Sequence, residues 1–271
     1  MIALKEQFTP ANRITELLEE SVSPSRLGCW LQCRLKFFFR YVLGLPQSNS
    51  PSLHLGKTVH AVLQLWNLAR WKGVPAPLAE LEASHDALFL DEGEEAVPWE
   101  SEEERGTTKV KGRSLLSVYL EETNIPFNEK PLGVEVRMEA DLQSHGLPNL
   151  GGIVDLVRPG GIIVDYKTAA QTPDPRMALH QHETQLTSYA LLYRDATGEK
   201  EGGVELHHLV KLKKPKAVIT QAPPATEGKI NRLFRTMESY VSGVQREDFV
   251  PSPGLHCSYC PFFAQCRKWE G

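Results

Sequence analysis

No stretch of the 271-residue chain approaches the roughly eighteen consecutive apolar residues of a membrane-spanning helix. Met1-Ile2-Ala3-Leu4-Lys5-Glu6 lacks the charged-then-apolar order of a secretory leader, so a cytoplasmic setting without a membrane partner is expected. A cationic excess is missing as well: 30 Lys and Arg stand against 34 Asp and Glu, a net charge of -4. That excludes a bulk polycation which coats nucleic acid without discrimination, so any nucleic-acid contact must be local. Internal repeats and low-complexity tracts are absent, which removes solenoids and arrays from consideration. A complete phosphate-binding loop is also lacking. Gly56-Lys57-Thr58 imitates its end, but the first glycine would have to stand where Pro51 is, and no strand precedes it. An ATPase motor is thereby excluded. The five cysteines are odd in number and, in a reducing compartment, read as thiols or metal ligands rather than disulfides.

What is present is ordinary globular material, 41% hydrophobic and 24% charged. Ser23 as N-cap and Pro24 at the first helical position start a helix expected to run to Val42, where Gly44 and Pro46 stop it. Val59, Val62, Leu63, Trp66 and Ala69 recur at helical spacing over 54–71. The stretch 78–122 reads as helix interrupted by an acidic exposed loop or mobile insertion over 91–105. From Gly133 the period changes to two, and strands are expected at 133–139, 151–157 and 162–167, the last two joined by Arg158-Pro159-Gly160-Gly161. These three should form a meander. A helix over 177–194, paired strands at 204–212 and 217–221, and a helix over 229–244 follow. The organisation is a single α/β domain over 1–271: a helical part at 23–130, a core sheet and helix at 131–222, and a C-terminal helix with a cysteine-rich tail at 223–271.

The chemistry concentrates in the second and third strands. Asp165 and Lys167 are two apart on one strand and share a face, and Asp155 sits on the strand before. If those strands pair, two carboxylates and an ammonium converge. Hard divalent ions such as magnesium or manganese prefer oxygen donors, and two carboxylates with the Tyr166 carbonyl suffice for the protein's share of a shell. Such a centre suits phosphodiester hydrolysis, with Lys167 holding the nucleophilic water or stabilising the transition state. An Asp-x-Lys triplet arises by chance about once in a chain of this length. Glu227-Gly228-Lys229 is such a decoy, with no strand before it and no partner carboxylate. The apolar Ile162-Ile163-Val164 run and the neighbouring Asp155 set the Asp165 triplet apart.

Three cysteines, Cys257, Cys260 and Cys266, crowd the tail, and soft thiolates at this density select zinc or an iron-sulfur cluster. Cys33, Cys29 or His256 could complete the set. Local basic surface is offered by Arg34, Lys36 and Arg40, and by Lys211, Lys213, Lys214 and Lys216. Phe37-Phe38-Phe39 could stack on bases, but core packing is the expected role.

Gly56 to His60, Gly152 to Asp155, Asp165 to Lys167 and Gln185 to Tyr189 stand in the order Gly-x-x-x-His, Gly-x-x-Asp, Asp-x-Lys, Gln-x-x-x-Tyr. With this ensemble the chain resembles the RecB-like branch of the PD-(D/E)XK nucleases over nearly its whole length. The resemblance implies a restriction-endonuclease-like core with a mixed central sheet flanked by helices. It implies His60, Asp155, Asp165 and Tyr166 as metal ligands, Lys167 as the catalytic lysine, Gln185 as its aide and Tyr189 facing the DNA path, with Glu135 at a weaker acidic position. A subset of the branch, including AddB-type subunits and CRISPR-associated spacer-acquisition nucleases, binds a four-iron four-sulfur (4Fe-4S) cluster through one early and three late cysteines. By that resemblance Cys33, Cys257, Cys260 and Cys266 are the ligands, with zinc the alternative, and the cluster joins the N- and C-terminal segments by closing a loop of more than two hundred residues. Arg34 stands where the family usually has proline, and Cys29 is an additional thiol that reads as core. The expected activity is a Mg- or Mn-dependent DNA exonuclease acting on single strands or ends, with a helicase or CRISPR integrase as possible partner. The alternative is a non-catalytic DNA-end binding or scaffolding subunit of a recombination or CRISPR adaptation complex.

Overall fold

The computed structural model describes residues 9–271 apart from 48, 75, 92–95 and 124. In chain order the helices are α1 (Pro10–Glu19), α2 (Pro24–Gln32), α3 (Arg34–Phe37), α4 (Pro51–Lys72), α5 (Leu78–Leu90), α6 (Glu102–Glu122), α7 (Pro175–Gln181), α8 (Glu183–Thr197), α9 (Glu227–Gln245) and α10 (Phe263–Cys266). The strands are β1 (Gly133–Ala140), β2 (Leu150–Arg158), β3 (Ile162–Ala169), β4 (Gly203–Val210) and β5 (Lys216–Ala222), in sheet order β1-β2-β3-β4-β5. β2 and β3 are antiparallel, β3 and β4 parallel through the α7–α8 crossover, and β4 and β5 antiparallel. The sheet is therefore mixed, as expected. Among the described residues no helix is long and apolar enough to cross a membrane.

The chain forms two compact units that interleave in sequence. One comprises residues 1–47, 139–152 and 226–271, so both end segments belong to it. Its aromatic centre packs Trp30 edge-on to Phe37 and Tyr240, at 5.4 and 5.7 Å between ring centroids. Phe37 and Phe39 are buried there, which assigns them to the core rather than to base stacking. The other unit, 48–138 and 153–225, holds most of the sheet. Its core joins Leu55, Val59 and Val62 of α4 and Leu115, Leu116 and Tyr119 of α6 to Leu156, Val164 and Tyr166 of the sheet.

Several elements depart from the sequence reading. α1 was not foreseen, although Thr9 caps it by accepting from the Asn12 N–H, Pro10 opens it, and Ile14 and Leu17 are its buried stripe. The helix expected from Ser23 to Val42 is broken at Cys33, whose backbone is extended at φ -165° and ψ 114°. Cys33 Sγ accepts from the Lys36 N–H and so starts α3, which widens into a π-helical turn over Phe38–Val42. The helix expected over 177–194 breaks at His182 into α7 and α8. Of the acidic segment 91–105, residues 92–95 lie outside those described. Its end is helix rather than loop: Ser101 accepts from the Glu104 N–H, and the Glu104 carboxylate accepts from the Glu100 N–H, so the acidic run opens α6 and suits its N-terminal dipole.

Gly243 of α9 packs directly under the Trp30 ring, where a β-carbon has no room. Gly243→Ala is expected to lower stability by about 2 kcal/mol through overpacking, read as a lower urea midpoint with unchanged slope.

Candidate active site

The β2–β3 ladder runs outward from its turn through Arg158 with Ile162, Val157 with Ile163 and Leu156 with Val164. One step further stand Asp155 and Asp165. There a side chain replaces the ladder: the Tyr166 N–H donates to Asp155 Oδ2 at 2.9 Å. Lys167, on the same face of β3 as Asp165, brings its ammonium to 2.6 Å from Asp165 Oδ2. The approach lacks hydrogen-bond direction, so this buried oxygen has a counter-charge but no hydrogen bond among the described residues.

α4 supplies the imidazole. His60 Nδ1 lies 3.7 Å from Asp155 Oδ2, and its ring meets Tyr166 edge-on at 5.8 Å. One turn earlier a β-carbon on Gly56 would stand 3.3 Å from Thr168 Oγ1, so glycine there lets α4 come close to β3. Gly56, His60, Glu135, Asp155, Tyr166 and Lys167 line an open cleft of about 540 Å³, within one compact unit. Of the residues singled out in the sequence, the structure thus sets His60, Glu135, Asp155, Tyr166 and Lys167 on one cleft, while Asp165 is buried. Lys57 and Gln64 of α4 also line the cleft; both are polar residues of a helix face, with no motif to single them out.

Burial and then the Asp165 charge push the Asp155 carboxyl up, against the opposing pull of His60, the Tyr166 amide and Lys167. Burial and Asp155 push Glu135 up to about 7. Glu135 also has φ of 49°, a left-handed backbone that non-glycine residues seldom adopt. Two half-desolvated carboxylates beside a third, with an unfilled lone pair on Asp165, form a site short of positive charge. The donors, hard oxygens with one imidazole, fit a divalent ion of the magnesium or manganese type. Among the described residues no three His, Cys, Asp or Glu side chains converge closely enough to hold an ion as they stand. At Asp165 the space is taken by the Lys167 ammonium.

On the opposite face of β3, Tyr166 is anchored by a buried polar network. Asn67 Nδ2 donates to its hydroxyl at 2.9 Å, and its ring lies edge-on to Tyr119 and His207, each at 5.7 Å. The Tyr119 hydroxyl bonds His207 Nδ1 at 2.8 Å, His207 Nε2 bonds Glu205 Oε2 at 2.8 Å, and Arg158 donates to Glu205 at 2.9 Å. Burial alone would push Glu205 up, but His207 and Arg158 bring it down to about 2. Tyr166 thus fixes by its ring the amide that holds Asp155.

Gln185 and Tyr189 meet on α8, Gln185 Nε2 donating to the Tyr189 hydroxyl at 3.0 Å. Tyr189 is only 6% exposed, and burial followed by the Asp165 and Asp155 charges pushes its hydroxyl up. It lies within electrostatic reach of both carboxylates. His182 and His208, also beside Lys167 and Asp165, were missed; for His208 the available signal was the His207-His208 pair inside an apolar strand, and for His182 there was none.

In the other unit Cys33, Cys257, Cys260 and Cys266 line one apolar pocket of about 40 Å³, together with His256, Phe39 and Phe262. Cys33 Sγ accepts from the Lys36 N–H at 3.5 Å and Cys257 Sγ from the Gly254 N–H at 3.4 Å. Burial and the charges of Cys33, Cys260 and Cys257 push the Cys266 thiol up, although no three of these thiols converge closely enough to hold an ion as they stand. The donor set fits a thiolate-bound metal group. Cys29 is buried and its thiol is pushed up to about 11, in keeping with a core role. Of the expected DNA contacts, Arg34 is engaged by Asp248 and lies 4.9 Å from the Trp30 ring centroid, and Lys36 donates to Gln32. Neither is a free cation. Lys213 and Lys214 are exposed in the β4–β5 connection.

A mixed sheet whose strands part over two aspartates and a lysine is the arrangement of a nuclease core, and the sequence profile of the PD-(D/E)XK nuclease superfamily matches residues 21–267. The chain belongs to that superfamily. The crystal structure of a candidate exonuclease from Eubacterium rectale is similar over 100% of this chain and 94% of its own, with a TM-score of 0.59 at 15% identity, a likeness of fold. The structure of SSO0001 covers 95% of this chain and 93% of its own at 16% identity, with a TM-score of 0.42 from which nothing is drawn. No curated protein matches the sequence.

The raised carboxyl of Glu135 fixes a sign. Its folded value of about 7 lies above its ordinary 4.5, so the stability that protonation gives is lost as pH rises through that interval. In chelator, Glu135→Gln is expected to be more stable than the parent by about 2 kcal/mol at pH 8, with the difference vanishing near pH 4, as read from urea midpoints.

Proposed function

We propose that this nuclease-superfamily chain is a RecB-like, magnesium- or manganese-dependent deoxyribonuclease that degrades single-stranded DNA or DNA ends as an exonuclease. The observation that carries the reading is the pair Asp155 and Lys167 lining one cleft where the β2–β3 ladder opens, with the buried Asp165 carboxylate 2.6 Å from the Lys167 ammonium. His60, Asp155, Asp165 and the Tyr166 carbonyl would hold the ion. When bound, such an ion draws charge from the phosphoryl oxygens and makes water a competent nucleophile at neutral pH. The protein's own share is positional and electrostatic. The Tyr166 amide holds Asp155 in place, and the network behind Tyr166 keeps that amide still. Lys167 offers its ammonium to the negative charge that builds on phosphorus as water adds and the bridging P–O bond breaks.

The same proposal places a 4Fe-4S cluster on Cys33, Cys257, Cys260 and Cys266. Four thiols in one apolar pocket, two of them already accepting backbone N–H groups, support it. The cluster would act as a structural staple between residues near the two ends of the chain.

Labelled single- and double-stranded DNA incubated with manganese should be digested by the wild-type protein. Lys167→Ala should be slower by about a thousandfold, the scale for losing one transition-state charge partner. Equal cleavage by the two proteins would refute the assignment. Protein purified without oxygen should be brown, with broad visible absorption; a colourless protein holding one zinc would replace the cluster by zinc.

A further inference from the structure

Lys167 stands where an ion would have to go. Its ammonium is 2.6 Å from Asp165 Oδ2, and a divalent cation on that oxygen would repel it at close range in a poorly solvated site. An ion can enter only if the ammonium withdraws to another acceptor. The parallel β3–β4 register sets His208 directly beside Lys167, so the two side chains share a face of the sheet. His208 is 5% exposed, and its Nδ1 has no hydrogen-bond partner among the described residues. Buried imidazole nitrogens are seldom left so. A second imidazole, His182, lies 6.3 Å away between ring centroids.

We infer that His208 is the second seat of the Lys167 ammonium: a positioning residue that receives it when a divalent ion takes Asp165 and so clears the metal position. The inference rests on the metal-dependent reading above. Burial, followed by His182 and Lys167, brings His208 down to about 4, so near neutral pH its ring is uncharged and has one nitrogen free to accept. His182 is lowered by burial and by Lys167 as well, so neither ring opposes the incoming ammonium. The lysine stem is long and flexible enough to swing between seats, which a guanidinium's rigid fork would not do. A leucine at 208 would remove that seat.

The test is manganese binding by the full chain without DNA, measured calorimetrically for wild type, His208→Leu, His208→Gln, Lys167→Ala and the Lys167→Ala/His208→Leu double variant. His208→Leu should weaken binding about tenfold, the scale for removing a group that orients a ligand, while His208→Gln, which keeps an acceptor, should stay within about threefold of wild type. In the Lys167→Ala background His208→Leu should cost nothing further, because the group to be moved is gone. In nitrogen-15 spectra, magnesium should shift the His208 Nδ1 resonance of wild type and leave it unmoved in Lys167→Ala. Unchanged binding by His208→Leu, an equal loss in His208→Gln, a loss that persists without Lys167, or an unmoved resonance in wild type would each overturn the inference alone. Wild-type protein that binds no manganese would overturn it together with the metal-dependent reading.

Discussion

Where β2 and β3 part, the Tyr166 N–H is bound by the Asp155 carboxylate instead of by a backbone carbonyl of the neighbouring strand. Had the ladder continued, that carboxylate would be free to rotate into solvent and no cleft would open between the strands. Because a side chain closes the bond, Asp155 is fixed at one oxygen and remains able to accept at the other. The separation of the strands and the orientation of the acid are one event. His60, Lys167 and Glu135 are arranged around an acid whose position is set by the backbone of the residue between Asp165 and Lys167.

That backbone is itself held from behind. Tyr166 occupies the centre of the Asp165-Tyr166-Lys167 triplet, and alternation sends its ring into the core while the Asp165 and Lys167 side chains leave the other face of the strand. The core at that point is polar: Asn67 donates to the Tyr166 hydroxyl, and beside the ring Tyr119, His207, Glu205 and Arg158 are linked in sequence by hydrogen bonds. Such networks are costly when any member is left unpaired and hold position firmly when all are paired. The fold places its stiffest polar framework one residue away from its most charged acids. Excess negative charge on one face of β3 is therefore borne by a strand that the other face cannot easily release.

Much of the site was legible because it depends on period and spacing. The alternation from Ile162 to Lys167, the Arg158-Pro159-Gly160-Gly161 turn and the interval to Asp155 are local, and they pair the strands without further information. The breaks at Cys33 and His182 were not legible, because both residues lie inside otherwise good helical patterns and both breaks depend on tertiary surroundings. Strand β4 illustrates a further limit: all eight of its residues are buried, including Glu205, His207 and His208, so no alternation shows which face carries chemistry. The ion pair of Arg34 was hidden for a related reason, since Asp248 lies more than two hundred positions away in sequence. Charge counted along the chain says nothing about which charges meet.

The interleaving of the two units has a consequence for how the protein emerges from the ribosome. Residues 48–138 and 153–225 are complete once the chain has been made through Ala225, whereas the unit that owns Trp30, Phe37 and Cys33 lacks α9 and the three later cysteines until residues 227–266 are made. At ordinary elongation speeds of about 5–20 residues per second, those early aromatic side chains wait on the order of ten seconds for their partners. The nascent N-terminal segment is thus an exposed apolar client for that interval, and a prematurely terminated chain would keep it so permanently.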